Sequence, residues 1–338
     1  MSIIKLIEDK MNLDHDVREG VQMILLVEDS IRFYSSILPM LYNYILKQSQ
    51  NFATEALNRH EATLRMRGRP KVVLARNYEE AMKVYEEYKE NTLGVISDAR
   101  FPMTASSPQP SMQGGGVSTD KTPDAGFQLL QAIRQEDQFV PLIMESSETA
   151  NRLRAHDQHF LFIDKRSKTF NIDLRRALED HMGFGDFIFR DPATKKPIMR
   201  IHSLKELQDN VFKIPNDSML YHISRNHVSR WLSARAIFPV SAFLKHITWN
   251  ELQDVDAHRK IIYEAIVKYR HMKNIGVVAE FDRHKYDQYG HFARIGEGSL
   301  GGKGRGLAFL DNIIKRHPEM AQFDGVTVRP PKPLVPRT

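Results

Sequence analysis

Cysteine is absent from the 338-residue chain. Its absence excludes disulfide bonds, thiol nucleophiles and zinc or iron–sulfur sites built on cysteine. Long apolar runs are also lacking: Met23–Val27 is the longest near the amino terminus, far short of the roughly 20 residues that a membrane-spanning helix needs. Charged residues such as Lys5 and Glu8 interrupt the first apolar residues, so no signal peptide is predicted. We therefore expect a cytoplasmic protein with no membrane segment.

Charge is distributed unevenly along the chain. Residues 1–189 contain 23 Lys and Arg against 27 Asp and Glu, whereas residues 190–338 contain 25 against 15. The net charge is thus −4 in the first part and +10 in the second. Hydrophobic residues make up 41% of the sequence, which is typical of a globular protein. Opposite charges in the two parts indicate two separate tasks.

The first part alternates short apolar runs with helical patterns. Such runs are typical of strands buried on both faces of a sheet. The runs are Met23–Val27, Val72–Leu74, Leu93–Ile96, Val140–Met144 and Leu161–Ile163. Helical patterns lie at Tyr78–Glu90, Asp124–Gln135, Glu148–Asp157 and Asp173–Met182. This alternation predicts an α/β fold with a doubly wound, five-stranded parallel sheet.

Two insertions interrupt that rhythm. Residues 45–70 extend the first crossover, and they form either a helical arm or an insertion that serves packing alone. Residues 104–123 are rich in Gly, Pro and Ser, so they bury little apolar surface and are predicted to form a long loop.

Polar side chains follow four of the predicted strands. Glu28 and Asp29 follow the first strand, Asp98 the third, Ser146 the fourth and Lys165 the fifth. Ligands of doubly wound sheets bind at the carboxyl ends of the strands, so these side chains should converge there. Three carboxylates repel one another unless a cation neutralises them, and Mg²⁺ prefers oxygen ligands. A carboxylate beside Mg²⁺ can accept a phosphoryl group, whose oxygens a lysine and a hydroxyl can hold.

These motifs resemble the receiver domain of two-component response regulators over about residues 20–185. The matching stretches are Ile24–Ser30, Val95–Pro102, Ala125–Leu130, Pro141–Ser147 and Phe162–Lys165. The resemblance implies a flavodoxin-like sheet of order 2-1-3-4-5, with Glu28, Asp29 and Asp98 as the metal ligands. It further implies that Asp98 is the phosphoacceptor, Ser146 the switch hydroxyl and Lys165 the phosphate-sensing lysine. A histidine kinase or another phosphodonor would be the partner.

The sequence departs from the receiver pattern at two positions. Arg166 follows the lysine where the family usually has Pro, and Glu145 precedes Ser146 where an apolar residue is usual. Phe162 fits the aromatic switch position of the family, although a core Phe would fit equally well.

Residues 190–290 lack the strand–helix alternation and predict a mostly helical, basic domain. Ser203 and Glu206 form a capping-box pattern before one predicted helix. A basic helix with Arg225, Arg230 and Arg235 could serve as a DNA-recognition helix, but no helix-turn-helix spacing is clear, which favours a solvated helix face. His222 and His227 are five residues apart, off the spacing of a helical metal pair, which favours core or surface histidines.

The segment Arg294–Leu310 is rich in glycine. It lacks the spacing of a P-loop, and its short Gly-x-Gly-x-x-Gly pattern is weak without the other kinase motifs. Ser299–Leu310 resembles the opening nucleotide-binding motif of the pyruvate phosphate dikinase and phosphoenolpyruvate synthase family. That resemblance implies that Lys303 contacts ATP phosphates in the full-length protein and that Gly301, Gly302 and Gly304 shape the turn. A glycine-rich linker before a helix is the plain alternative.

Together these patterns predict a helix or linker at 1–20, a receiver at 21–189, a helical domain at 190–290 and an ATP-grasp-like stub at 291–338. We expect a Mg²⁺-dependent phosphorelay module that regulates the remaining domains of a larger phosphotransferase, of which this chain is an amino-terminal or internal fragment. A homodimer is a further expected assembly, whereas nucleic acid is not an expected partner. A transcriptional regulator whose basic part binds DNA and a pseudo-receiver scaffold remain alternatives.

Overall fold

The computed structural model describes most of the chain. The described residues are 2–105, 121–249, 254–275, 277–282, 287–290, 292–296, 300–317, 319, 325–326 and 334–336. They divide into two compact units that are discontinuous in sequence. The first comprises residues 1–50, 68–202 and 214–253, and the second comprises residues 51–67, 203–213 and 254–338.

A five-stranded parallel sheet forms the centre of the first unit. Its strands are β1 (Met23–Val27), β2 (Lys71–Ala75), β3 (Thr92–Asp98), β6 (Leu142–Ser146) and β7 (Leu161–Asp164). Two short strands that follow β3 in the chain, β4 (Phe101–Pro102) and β5 (Lys121–Thr122), form a separate antiparallel pair. The order in the main sheet is β2-β1-β3-β6-β7. Counted along the main sheet alone, this is the predicted order 2-1-3-4-5, so the predicted fold class is confirmed.

Helices cover the sheet and close its core. The helices of the first half are α1 (Ser2–Arg18), α2 (Ile31–Ala53), α3 (Arg59–Arg67), α4 (Tyr78–Tyr88), α5 (Ala125–Glu136), α6 (Asn151–Asp157) and α7 (Phe170–His181). Asn77 caps α4 through a hydrogen bond from the amide of Glu80 to its Oδ1 atom (2.8 Å), as its sequence position predicts. Every residue of β1 is buried, because helices pack on both faces of a central parallel strand.

Further elements of the first unit follow the main sheet. An antiparallel hairpin, β8 (Phe187–Arg190) and β9 (Pro197–Ile201), comes directly after α7. Three short helices, α9 (Asn216–Ile223), α10 (His227–Ala234) and α11 (Phe238–Lys245), complete the unit. The helices agree with the predicted mostly helical second part, but the sequence pattern did not reveal the hairpin.

The second unit contains helices and one small sheet. Its helices are the last residues of α2, α3, α8 (Leu204–Asn210), α12 (Val255–Asn274) and α13 (Gly302–Arg316). The small parallel sheet contains β10 (Ala279–Glu280), β11 (Ala293–Ile295) and β12 (Leu334–Pro336). Ser203 caps α8 by accepting a hydrogen bond from the Glu206 amide (3.2 Å). No helix among the described residues is long and apolar enough to span a membrane.

Some sequence predictions on organisation stay predictions. The boundaries at residues 20, 189 and 290 are not tested by the discontinuous units. Most of the predicted loop at 104–123 lies outside the described residues, although its last residues form β5. Residues 45–70, the first predicted insertion, contain the end of α2 and all of α3, and the choice between a helical arm and a packing insertion stays open.

Helix α1 is attached to the sheet through one buried carboxylate. The Asp9 side chain is 1% exposed and accepts hydrogen bonds from Arg69 (2.6 and 3.1 Å), the Tyr42 hydroxyl (3.0 Å) and the Val72 amide (3.0 Å). Four donors satisfy the charge that α1 brings into the interior. The edge strand β2 is thereby linked to α1.

We predict that Asp9→Ala destabilises the first unit by roughly 3–5 kcal/mol, because it leaves the buried guanidinium of Arg69 without its counter-charge. Chemical denaturation of the full chain measures this effect. Glu8→Ala is the matched control: Glu8 lies next to Asp9 but pairs only with the exposed Lys5, so its stability should stay close to that of the wild type. Equal stability of the two variants would contradict the prediction.

Candidate functional site

Three carboxylates meet at the carboxyl ends of β1 and β3. Glu28 and Asp29 follow β1, and Asp98 is the last residue of β3. One oxygen atom from each of the three lies within 4.8 Å of the others. This is the convergence that the sequence predicts, and it arises because adjacent parallel strands end on the same edge of the sheet.

Lys165 bridges two of these carboxylates. Its ammonium contacts Oε2 of Glu28 and lies 2.9 Å from Oδ1 of Asp98, and its side chain is 2% exposed. Burial by itself would lower the pKa of Lys165, but the surrounding carboxylates outweigh burial and raise that pKa above its usual value. Burial also raises the pKa of Glu28, against the opposing effect of Lys165. The ammonium therefore acts as an internal counter-ion of the site.

Asp98 keeps one oxygen atom apart from these contacts. Its Oδ1 atom accepts a hydrogen bond from the Ala99 amide (2.8 Å) and pairs with Lys165. Both contacts fall on Oδ1, and no described residue forms a hydrogen bond with Oδ2. Gly126 packs directly against the backbone of Asp98. A Cβ atom at Gly126 would lie 2.0 Å from the Asp98 carbonyl oxygen, so only glycine fits there.

The Ser146 hydroxyl lies at the end of the neighbouring strand β6. Its oxygen accepts hydrogen bonds from the Glu148 amide (3.1 Å) and from the Asn151 side chain (3.0 Å). A hydroxyl that already accepts two hydrogen bonds retains one proton to donate. Among the described residues no acceptor takes that proton, so it is available to a ligand oxygen.

Glu145 is a fourth carboxyl group beside the site. In the sequence it stands out only as a departure from the receiver pattern. It pairs in register with Asp98, is fully buried, and has no hydrogen-bond partner for either oxygen among the described residues. Its Oε1 atom lies 3.9 Å from the Lys165 ammonium. Burial raises the pKa of Glu145 to about 8, so this group is mostly protonated at neutral pH. A charged residue within an apolar run was its only signal in the sequence.

Lys121 also reaches the acidic cluster, and no sequence signal pointed to it. Its ammonium lies 2.8 Å from Oδ2 of Asp29, and the residue belongs to β5 at the end of the second insertion. Lys121 and Lys165 thus pair with all three carboxylates of the cluster. Lys121 and Asp29 are far apart in the sequence, so only the fold reveals that they are in contact.

The donor set suits Mg²⁺. Three carboxylates supply hard oxygen ligands, and ligand oxygens on one Mg²⁺ at 2.0–2.1 Å lie at most about 4.2 Å apart. The observed spread of up to 4.8 Å is close to this limit. Small side-chain movements would bring the oxygens onto one ion, and the two lysines would then lose part of their attraction to the cluster.

Phe162, the predicted switch aromatic, is half-buried against the core. Its ring faces the guanidinium of Arg152 at 5.4 Å. The Lys165–Arg166 peptide bond is trans, as are the other bonds of the described residues.

The predicted basic recognition face does not form as a continuous surface. Arg235 is 3% exposed and donates hydrogen bonds to the carbonyl oxygens of Gly183 (2.6 Å) and Gly185 (2.7 Å). Helix α10 has eight residues, of which six are buried. Arg235 therefore holds a turn inside the first unit and is not available to a DNA phosphate.

The glycine-rich segment forms the start of α13 in the second unit. Gly301 is the N-cap residue, and Lys303 lies exposed in the first turn. A Cβ atom at Gly301 or Gly302 would meet no atom within 4 Å, so packing within the described chain does not require these glycines. Gly304 is buried. Contact of Lys303 with ATP phosphates stays a prediction.

Comparisons of the chain with protein-family models and with curated proteins find no match. The fold and the side-chain geometry are therefore the evidence for the function of this protein.

We predict that Lys121→Gln increases the affinity for Mg²⁺ about threefold to tenfold, because it removes a tethered cation that competes for Asp29. Isothermal titration calorimetry of the full chain with MgCl₂ measures the change. Lys89→Gln, which breaks the exposed pair with Glu136 elsewhere on the surface, should leave the affinity unchanged. Equal or weaker binding by Lys121→Gln would contradict the prediction.

We predict that Glu145→Gln changes the pH dependence of stability in the absence of divalent cations. A raised pKa means that the folded wild type retains a proton that the unfolded chain releases, so its free energy of unfolding falls as the pH rises from about 4.5 to about 8. The slope is at most about 1.4 kcal/mol per pH unit. The variant lacks this group and should gain stability relative to the wild type over that range.

Urea denaturation at pH 5, 6, 7 and 8 measures this difference. Glu148→Gln is the control, because Glu148 is half-exposed and pairs with Arg100 on the surface. Parallel pH profiles for the wild type and Glu145→Gln would show that Glu145 is ionised in the folded protein, contrary to the prediction.

Proposed function

We propose that the first unit is a receiver module whose Asp98 accepts a phosphoryl group with Mg²⁺ bound by Glu28, Asp29 and Asp98. The observation that carries the proposal is the convergence of these three carboxylates with Lys165 at the carboxyl ends of a sheet of order 2-1-3-4-5. The same edge also holds the Ser146 hydroxyl.

Each side chain has a distinct task in this proposal. Oδ2 of Asp98 attacks the phosphorus of the donor; an oxygen–phosphorus bond forms, and the bond from phosphorus to the leaving group breaks. The leaving group departs with the electron pair of that bond. A bound Mg²⁺ would neutralise charge on the phosphoryl oxygens. The Lys165 ammonium and the Ser146 hydroxyl donate to those oxygens from the other side.

Phosphorylation would redistribute the contacts of Lys165. The phosphoryl group adds a charge of about −2 next to Asp98. Lys165 then has a stronger anionic partner than Glu28, while Ser146 gains an acceptor for its unused proton. Movement of these two groups at the ends of β6 and β7 is the local change that a receiver transmits to its surface.

Regulation of an attached dikinase-like phosphotransferase is the finer form of the proposal. It rests on the glycine-rich start of α13 with its exposed Lys303, and on the resemblance of that segment to a nucleotide-binding motif. A histidine kinase or small phosphodonor would act on Asp98.

We predict that the chain incorporates phosphate from acetyl phosphate or phosphoramidate in the presence of Mg²⁺ and that Asp98→Asn abolishes incorporation. Intact-protein mass spectrometry detects the product as a mass gain of about 80 Da, the mass that a phosphoryl group adds. Asp124→Asn is the control, because Asp124 lies outside the acidic cluster and pairs with Arg154. Labelling that persists in Asp98→Asn would assign phosphorylation to another residue, and absence of labelling in the wild type would favour a scaffold role.

A further inference from the structure

A cavity of about 520 Å³ lies at the other end of the main sheet. Leu142 and Leu161, the first residues of β6 and β7, contribute to its wall. The acidic cluster lies at the opposite edge of this parallel sheet, at the carboxyl ends of β1 and β3. Residues of β8, α9 and α10 complete the lining. Its volume falls within the roughly 300–1,000 Å³ of typical small-molecule sites. We call it the arginine–histidine cavity after the residues described next.

Three arginines of the described lining form no ion pair with a carboxylate, although Asp137, outside the lining, attracts Arg134 and Arg230. Arg134 donates to the carbonyl oxygen of Gln138 (2.5 Å), and Arg230 donates to that of Phe139 (2.8 Å). Arg190 donates to the carbonyl oxygen of another residue of its hairpin at 3.3 Å. None of the three forms an ion pair within the described part of the chain. Their charges therefore remain available to an anion.

The acidic residues of the lining do not offset this excess. Asp186 is paired with Arg200 (3.0 Å) and His202 (2.9 Å). Glu179 accepts a hydrogen bond from the Tyr44 hydroxyl (3.0 Å), away from the arginines, and Asp180 is exposed at the rim. The arginine side of the cavity thus stays positive.

A hydrogen-bonded histidine pair forms part of the same wall. His222 is 5% exposed, and its Nε2 atom accepts a hydrogen bond from the Arg190 amide (3.0 Å). Its proton must therefore lie on Nδ1, which donates to Nδ1 of His227 (3.0 Å). This assignment leaves His227 with a proton on Nε2 as a further donor.

The electrostatic environment of the pair is cationic. Burial, followed by Arg190 and Arg225, lowers the pKa of His222 to about 4. Burial, followed by Arg230 and other cationic groups, lowers the pKa of His227 to about 2. Both rings are neutral at pH 7, and the charges that act on them are positive. Among the described residues these histidines are not part of a metal-ligand cluster, so an anion suits the site better than a cation.

Aromatic rings supply the remaining surface. Phe187 and Trp231 are buried and pack edge-to-face, with ring centres 5.8 Å apart. Tyr221 lies partly exposed at the rim, where Arg225 stacks over its ring at 4.3 Å, and Phe139 is 37% exposed nearby. The Lys195 ammonium also lies over the Tyr221 ring, at 4.4 Å from its centre, so Phe139 is the aromatic side chain at the rim that is left for a planar ring.

We propose that the arginine–histidine cavity binds an anionic ligand that carries a planar ring, of the nucleotide class. The anionic groups contact Arg190 and Arg230, the Nε2 proton of His227 donates to the same ligand, and the ring packs against Phe139. This site is distinct from the acidic cluster and does not depend on phosphorylation of Asp98.

Titration of the full chain with ADP tests the proposal, with calorimetry as the readout at 50 mM and 300 mM NaCl. We expect binding that weakens at high salt, because charge attraction contributes to it. Adenosine and pyrophosphate alone should each bind at least tenfold more weakly than ADP. Arg230→Gln and, as a second variant, Arg190→Gln should each weaken ADP binding at least tenfold.

Two controls separate this site from other binding. Arg176→Gln changes an exposed arginine on α7 outside the cavity and should bind ADP as the wild type does. Lys303→Gln reports separately on the glycine-rich segment of the second unit and should leave the ADP binding that depends on Arg230 and Arg190 intact. Thermal melting followed by circular dichroism identifies variants that fail to fold.

Three outcomes would overturn the proposal. The first is no ADP binding by the wild type at millimolar concentration. The second is binding that Lys303→Gln abolishes and that folded Arg230→Gln and Arg190→Gln retain. The third is equal binding of adenosine and ADP. Asp98→Asn should leave ADP binding unchanged, so failure of the receiver proposal and failure of this one give different results.

Discussion

The electrostatic balance around Lys165 is the interaction on which the candidate site depends. Parallel strands of one sheet end on the same edge, so their polar residues meet whether or not their charges attract. Here that edge holds Glu28, Asp29 and Asp98, with Glu145 buried behind them. Lys165 contacts two of these carboxylates and Lys121 contacts the third. Without such cations, burial would drive the carboxyl groups to take up protons.

The same balance sets what a bound cation would meet at this edge. The ammonium groups and a divalent cation would compete for the same oxygens, so binding of an ion would displace or weaken existing ion pairs. Glu145 stays out of this competition as long as it is protonated, since a neutral carboxyl attracts Lys165 only weakly. In the proposed receiver, the lysine would follow the negative charge from Glu28 and Asp98 to a phosphoryl group. The Ser146 hydroxyl, which accepts two hydrogen bonds, would donate its proton to the same group.

The basic second part of the chain acquires specific roles only within the fold. Its net charge of +10 left the role of this part open, and within the fold Arg235 donates to two backbone carbonyl groups inside the first unit. Arg190 and Arg230 line a cavity. Charge counted along a sequence includes buried, paired and free groups alike, and packing decides which remain available.

The apolar runs of the sequence predicted the five strands of the parallel sheet, because strands buried on both faces need apolar residues. The order of those strands was implied by the resemblance to receiver domains. The sequence also determined that Glu28, Asp29, Asp98 and Lys165 meet, since strand ends lie at fixed places once the sheet order is known. Only the tertiary structure decided the roles of Lys121 and Glu145 and the formation of the β8–β9 hairpin. Those features depend on contacts between residues distant in sequence and on the loss of water around them. No local pattern of residue types records either effect.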